Sequence, residues 1–185
     1  MATIVKRRDV THDLFVIWLE PEVAFTFKPG QYVTIGLDGI ERAYSIVSSP
    51  HEPLIELFVE VVPPPEGNLT PLLWKAKVGD KVTIRPRAKG IFTFEEKYPN
   101  HLLVATVTGI APFMSMVRQY IHQGLGSHKF YILHGASYQD EFTYKDELEK
   151  IAAQHHKNFT YVTTISRPTE ERNKGWKGET GRVNM

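Results

Sequence analysis

The chain has 185 residues, 42% of them apolar, with 22 Lys and Arg against 21 Asp and Glu for a net charge of +1. That size and mix describe one large or two small globular domains and exclude a disordered chain, and the near-neutral balance gives no global field for nucleic acid or an anionic membrane. The absence of cysteine excludes disulfides, cysteine-held zinc and iron–sulfur clusters within the chain.

The first residues, MATIVKRRDV, lack the apolar run of a signal peptide. No stretch reaches the ~20 apolar residues of a membrane span. The expectation is a soluble, cytoplasmic protein with no nucleic-acid or membrane partner; its oligomeric state stays open. Strands are predicted at Ile4–Val10, Leu14–Glu20, Tyr32–Leu37, Arg42–Val47, Ile55–Val62, Lys81–Arg85 and Ile91–Phe94. Turn signals separate them at Pro29-Gly30, Asp38-Gly39, Ser49-Pro50, Gly79-Asp80 and Lys89-Gly90. Many short strands at close spacing predict a small antiparallel barrel. One short helix interrupts them, with Thr70 as its N-cap and Pro71 in its first turn.

After about Tyr98 the rhythm changes. His101–Val107 is a nearly continuous apolar run, as in a strand buried on both faces. A helix follows over Pro112–Gln123 with Phe113, Val117, Tyr120 and Ile121 at helical spacing. Lys129–His134 is the next strand and Asp140–Ala153 the next helix, with Glu141–Lys145 and Asp146–Lys150 pairs four apart. Phe159–Ile165 is a third strand. Strand–helix–strand–helix–strand implies a parallel, doubly wound sheet of three strands, short for a nucleotide-binding domain. The expected organisation is a β-barrel domain over residues 1–97 and an incomplete α/β domain over 98–185.

The segment ERAYSIVSSP, Glu41–Pro50, holds the first candidate site. A strict two-residue loop at Asp38-Gly39 would pair Ile35 with Arg42 and put a charge on the apolar face. A three-residue loop, with Gly39 in a bulge, is therefore expected. It places Ala43, Ser45 and Val47 on the apolar face and turns Arg42 and Tyr44 outward beside a bare Gly36. An arginine and a ring two residues apart suit a ligand with an anionic and a flat part; a solvated arginine beside a surface tyrosine is the plainer alternative. Gly67-Asn68-Leu69-Thr70 leads into the short helix, whose N-terminus offers free N–H groups, although an ordinary N-cap has the same sequence. Val107-Thr108-Gly109-Ile110-Ala111-Pro112-Phe113 joins the first parallel strand to its helix, where dinucleotide phosphates sit in such sheets; it is not a full Gly-x-Gly-x-x-Gly, and an ordinary tight strand-to-helix turn is the alternative.

Taken in order, Arg-x-Tyr-Ser on a barrel, Gly-x-x-Thr at a helix start and Thr-Gly-x-x-Pro-Phe opening a parallel sheet resemble the ferredoxin–NADP reductase family. "GQYV" at Gly30–Val33, "HGAS" at His134–Ser137 and "ISRP" at Ile165–Pro168 add to the resemblance, which spans nearly the whole chain.

The resemblance implies FAD in the barrel. Within Arg42-Ala43-Tyr44-Ser45, Arg42 would hold the pyrophosphate, Tyr44 would pack on the isoalloxazine and Ser45 would hydrogen-bond near the nitrogen that accepts hydride; Tyr44 and Ser45 are the implied catalytic pair. The strand Phe58, Val59, Glu60 and Val61 would line the flavin through its backbone, and Gly67, Leu69 and Thr70 would complete the pyrophosphate site. Thr108 and Gly109 resemble the nicotinamide-side loop, but Val107 replaces the family's usual first glycine, and valine prefers extended geometry. Ser137 stands where many bacterial members carry an arginine for the cofactor. Arg167 and Arg182 match positions that contact the 2′-phosphate, which favours NADPH; Trp176-x-Gly178-x-x-Gly181 occurs also in NADH-using relatives, so NADH stays an alternative. Family members continue with about two more strands, a Cys-Gly motif and often an aromatic tail. The implied activity passes electrons between NADPH and a one-electron carrier, ferredoxin or flavodoxin. Arg85, Arg87 and Lys89 alternate on one predicted strand; such a basic face would dock an acidic carrier, and a solvated basic edge that discourages strand pairing is the equal alternative. Alternatives are an electron-transfer subunit without its own NADPH reaction, a flavin or ferric reductase, and a non-enzymatic binding module.

Overall fold

A computed structural model describes residues 1–124 and 126–183. Two compact units emerge. One comprises Met1–Phe94 with Ala111–Gln123, the other Glu95–Ile110 with Gly124–Met185.

The first unit is the antiparallel barrel. Its strands are β1 (Ala2–Asp9), β2 (Leu14–Pro21), β3 (Tyr32–Leu37), β4 (Ile40–Ser45), β5 (Ile55–Glu60) and β6 (Lys81–Ile84), in the order β4-β3-β6-β1-β2-β5. The ends of that order meet through an Ile46–Leu57 bridge and a Val47 N–H donating to Glu56 O at 2.9 Å. Alternate residues point inward, as the period of two requires, and Ile4, Phe15, Ile17, Leu19, Val33, Ile35, Leu57 and Val82 fuse into one buried cluster. The short helix α1 (Thr70–Lys75) adds Leu73 to it.

Helix α2 (Ala111–Gln123) packs within this unit. Ser115 Oγ donates to Ser48 O at 2.7 Å, and Arg118 meets the buried Glu56 carboxylate at 2.7 Å and Glu52 at 3.6 Å. Gly30, in the GQYV segment, has φ +93°, and a Cβ there would stand 2.1 Å from Phe92 O; no other residue fits both constraints.

Three expectations change here. Residues Ile91–Phe94 form no strand: the chain leaves the barrel after a Tyr32–Lys89 bridge, and Ile91 is fully exposed. The strand β6 ends at Ile84 before Pro86, which has no N–H to give a ladder, so Arg85, Arg87 and Lys89 do not alternate along one strand; Arg85 is paired with Glu41 at 2.7 Å. Thr70 is not an N-cap. Its hydroxyl donates to Val62 O at 3.1 Å and accepts from Val62 N–H at 2.9 Å, while Leu69 takes the cap position.

The second unit is a parallel sheet of β7 (Asn100–Thr106), β8 (Lys129–Ala136), β9 (Phe159–Ile165) and β10 (Glu179–Thr180), in the order β10-β9-β8-β7. The predicted three strands gain a fourth, since two residues beyond Trp176 pair with Thr164 and Ile165. Helix α3 (Lys145–Gln154) starts five residues later than expected. The Glu141 carboxylate instead accepts from the Ser137 and Tyr138 N–H groups at 2.9 and 3.1 Å and closes a separate 3-10 turn over Gln139–Glu141. The strand β7 is not buried on both faces. Leu103 and Ala105 point inward, but Leu102 is 71% and Val104 42% exposed, and on the neighbouring strands Tyr131 and Val162 are exposed too.

Candidate functional site

The loop between β3 and β4 decides where the first group of candidate residues points. Asp38 and Gly39 both have positive φ, +51° and +79°, the geometry of a two-residue type I′ hairpin, which Asp-Gly favours. Leu37 therefore pairs with Ile40, Ile35 with Arg42 and Val33 with Tyr44. The expected three-residue loop is overturned, and the faces exchange: Arg42 and Tyr44 share the side of Val33 and Ile35, while Ala43 and Ser45 share the other with Thr34 and Gly36. The charge is tolerated because β4 ends the strand order. Arg42 is exposed and its Nη1 donates to Glu41 O at 2.7 Å. Nor is Gly36 bare; a Cβ there would meet Thr83 Oγ1 at 2.6 Å and Glu41 Cγ at 2.7 Å.

Tyr44 packs half-buried against the barrel core. Burial pushes its phenol up to about 12, against the opposing pull of the Arg42 charge, so the ring stays neutral. Arg42 has no ion-pair partner among the described residues. A cation without a carboxylate, two residues from a neutral ring on one strand face, can take a ligand with an anionic part and a flat part. Ser45, half-buried and opposite Tyr32, is off the core face.

Other candidates in this unit are less open. Phe58 and Val59 are buried, Glu60 is exposed and Val61 is half-buried at the end of β5. The Gly67 N–H donates to Pro63 O at 2.9 Å, and a Cβ there would strike Val62 O at 1.7 Å, so this glycine serves chain packing. The Leu69 side chain is buried and its carbonyl accepts from Leu72 and Leu73.

In the second unit the strand ends build a cavity of about 390 Å³. Thr106 ends β7 and Val107 follows it, Ala136 ends β8 and Ser137 follows it, Ser166 and Arg167 follow β9, and Gly181 to Val183 complete the lining. Ligands bind at the carboxyl ends of parallel strands in such sheets because helix N-termini and loops converge there. Ser137, Arg167 and Arg182, which are far apart in sequence, come together here. Gly135 lets the return segment approach; a Cβ would lie 2.5 Å from Val183 Cγ1.

Thr108 and Gly109 lie in a 3-10 turn over Val107–Ile110. Gly109 has ordinary φ, and a Cβ there would meet only Ala105 Cβ at 3.8 Å. Val107 is the unexpected feature. Its φ is +40°, an outlier for a β-branched residue. It is held there by packing against Ala136, Phe142 and Ile165, and its carbonyl lies 3.3 Å from His134 Nε2. His134 is fully buried, and burial lowers it to about 4, so the imidazole is neutral. Sequence reading missed Ser166, which lines the cavity, and Tyr138 and Glu170, which hold the cavity-lining Arg167. Ser166 was legible beside Arg167, whereas Tyr138 and Glu170 reach Arg167 only through the fold.

Comparison with known proteins agrees with this architecture. The family model for the oxidoreductase FAD-binding domain matches residues 1–94, and that for the oxidoreductase NAD-binding domain matches 103–185. The flavodoxin/ferredoxin–NADP reductase of Escherichia coli (strain K12) is 31% identical over 173 residues, covering 90% of this chain and 68% of that protein. The toluate 1,2-dioxygenase electron transfer component of Pseudomonas putida is 32% identical over 145 residues, 77% of this chain and 42% of that one. A ferredoxin NADP+ reductase from Neisseria gonorrhoeae, solved with bound FAD and NADP, superposes with a TM-score of 0.82 at 25% identity, covering 98% of this chain and 72% of that chain. With both domain types matched in order on a barrel followed by a parallel sheet, the chain belongs to the flavodoxin/ferredoxin–NADP reductase family of FAD- and NAD(P)-binding oxidoreductases.

Proposed function

We propose that this protein passes electrons between NADPH and a one-electron carrier such as ferredoxin or flavodoxin, in the cytoplasm, with residues 1–97 holding FAD and residues 98–185 holding the nicotinamide nucleotide. The observation that carries the proposal is the unpaired Arg42 guanidinium beside the half-buried, neutral ring of Tyr44. These residues fit a flavin dinucleotide. A guanidinium suits a phosphate in charge and in shape, and a tyrosine face suits a flat heterocycle. Ala43 and Phe58–Val61 would contribute backbone, Gly67, Leu69 and Thr70 would border the phosphates, and the Ser45 hydroxyl would hold a proton near the redox edge. When bound, FAD supplies the exchange between a two-electron nicotinamide and a one-electron carrier.

Thr108, Gly109, Ser137, Arg167 and Arg182 would hold the nicotinamide nucleotide. Gly109 supports this role because neither its backbone angle nor a neighbour requires a glycine there, which leaves room for a ligand to approach.

Absorbance of the purified protein tests the reading. Flavin bands that bleach with NADPH are expected. No flavin retained even after addition of FAD overturns it. Arg42→Ala should weaken FAD binding by about 1.5–3 kcal/mol, the range of a hydrogen bond to a charged group, measured by fluorescence titration; an unchanged affinity removes Arg42 from the site. A second reading, an electron-transfer subunit without its own NADPH reaction, is favoured by Val107, whose side chain occupies the usual place of a glycine. Flavin bands that bleach with neither NADPH nor NADH would select it.

A further inference from the structure

Arg167 borders the cavity of the second unit with its guanidinium already engaged. Its Nη1 donates to Glu170 Oε1 at 3.2 Å and to the Tyr138 hydroxyl at 3.2 Å, and that hydroxyl donates to Glu170 Oε2 at 2.6 Å. The guanidinium sits 5.5 Å from the centre of the Tyr138 ring. Arg172 lies 4.1 Å from the same ring and is paired with Asp140 at 2.9 Å. Two cations and two carboxylates therefore gather around one tyrosine, and Arg167 joins this cluster to the cavity. Arg182, across the cavity, has no ion-pair partner among the described residues.

We propose that Glu170 governs the choice between a phosphorylated and a plain ribose in this cavity. The inference rests on the reading of the cavity as a nicotinamide-nucleotide site. A 2′-phosphate needs a guanidinium, and a free 2′-hydroxyl needs a carboxylate acceptor. Arg167 and Glu170 supply both requirements and satisfy each other. A 2′-phosphate must part them and then face the freed carboxylate, a like charge. A 2′-hydroxyl can donate to Glu170 without displacing anything. Both side chains are about half exposed, so solvent screens the pair and it opens readily. Glu170 thus narrows the preference for the phosphorylated nucleotide without abolishing its binding.

Calorimetric titration of the full chain with NADP+ and with NAD+ at low ionic strength tests this. Glu170→Gln keeps an oxygen for the Tyr138 hydroxyl and removes the charge. It should tighten NADP+ binding by up to about fivefold, the scale of a solvent-screened surface pair, and leave NAD+ binding unchanged or weaker. Glu170→Ala should shift the ratio in the same direction, and Arg167→Gln should weaken NADP+ binding and erase most of the gain from Glu170→Gln. Equal shifts for both nucleotides, or a gain that survives without Arg167, overturns the role of Glu170 alone. If neither nucleotide binds any of these proteins, the reading of the cavity as a nucleotide site falls, and this inference with it.

Discussion

In the barrel unit the strands feed one buried cluster, from Ile4 and Phe15 to Leu73 and Val82. In the sheet unit Leu102, Val104, Tyr131 and Val162 stand exposed on the strands. The candidate residues differ in parallel. Arg42, Tyr44 and Ser45 are neighbours on one strand, whereas Ser137, Arg167 and Arg182 meet only where strand ends and a return segment converge. The contrast separates two ways to build a site: side chains displayed by a self-sufficient core, and side chains assembled by topology.

The barrel's self-sufficiency has one charged exception, which offers the largest expected effect. Glu56 is buried and its carboxylate meets Arg118 on α2. Removing one member of a buried pair leaves an uncompensated charge and typically costs about 3–5 kcal/mol. Arg118→Leu should destabilise the barrel unit by an amount of that order in urea unfolding. Amide exchange should quicken in β2 and β5 more than in β8. Uniform quickening in both units would show that they do not unfold separately, and the contrast would fail.

The sequence displayed the barrel well because short strands and turn residues are local signals. Asp38-Gly39 reads as a turn, but its loop is one residue shorter than the pattern predicts. The prediction keeps Arg42 off the apolar face, a sound rule for a central strand that does not bind the last strand of the order, where a long side chain escapes to solvent. Similarly, HLLVATV reads as a strand buried on both faces because composition cannot tell which faces its neighbours cover. Thr70 reads as a cap from its type and from Pro71, but Val62, eight residues away, engages its hydroxyl. Around the cavity, Arg167 and Arg182 were legible through the resemblance alone. Tyr138 and Glu170 were not, since 32 residues separate them and only the return of the chain joins them.

The sheet unit should show the stronger dependence on acid. His134 titrates near 6.5 when unfolded and at about 4 in the fold, because burial disfavours its cation. Above about pH 6.5 both states are neutral and the packing contributes fully. As pH falls from 6.5 towards 4 the unfolded chain takes a proton that the folded one refuses, so stability drops by up to about 3 kcal/mol at 1.36 kcal/mol per unit of pKa difference. Amide exchange in β8 and β9 should accelerate over that interval, and His134→Gln should flatten the slope. An equal slope in the variant would assign the acid sensitivity elsewhere.

The smallest effect concerns Val107 and reverses an ordinary order. At most positions glycine is less stable than alanine by roughly 0.5–1 kcal/mol, because the unfolded chain gains freedom. Val107 has φ +40°, where any side chain crowds the backbone at a cost of roughly 1–2 kcal/mol. Truncation to alanine loses the contacts with Phe142 and Ile165 and keeps that strain. Truncation to glycine loses the same contacts and releases it. Val107→Gly should therefore be the more stable of the two by up to about 1 kcal/mol, the strain relief less the entropy term. The measurement is the urea midpoint of each variant, read with amide exchange in β8 so that the barrel does not obscure it. If Val107→Ala proves the more stable, the left-handed geometry stores no strain. The Ala136, Phe142 and Ile165 cluster and His134 then hold a valine comfortably, and the topology that gathers Ser137, Arg167 and Arg182 is bought at no local cost.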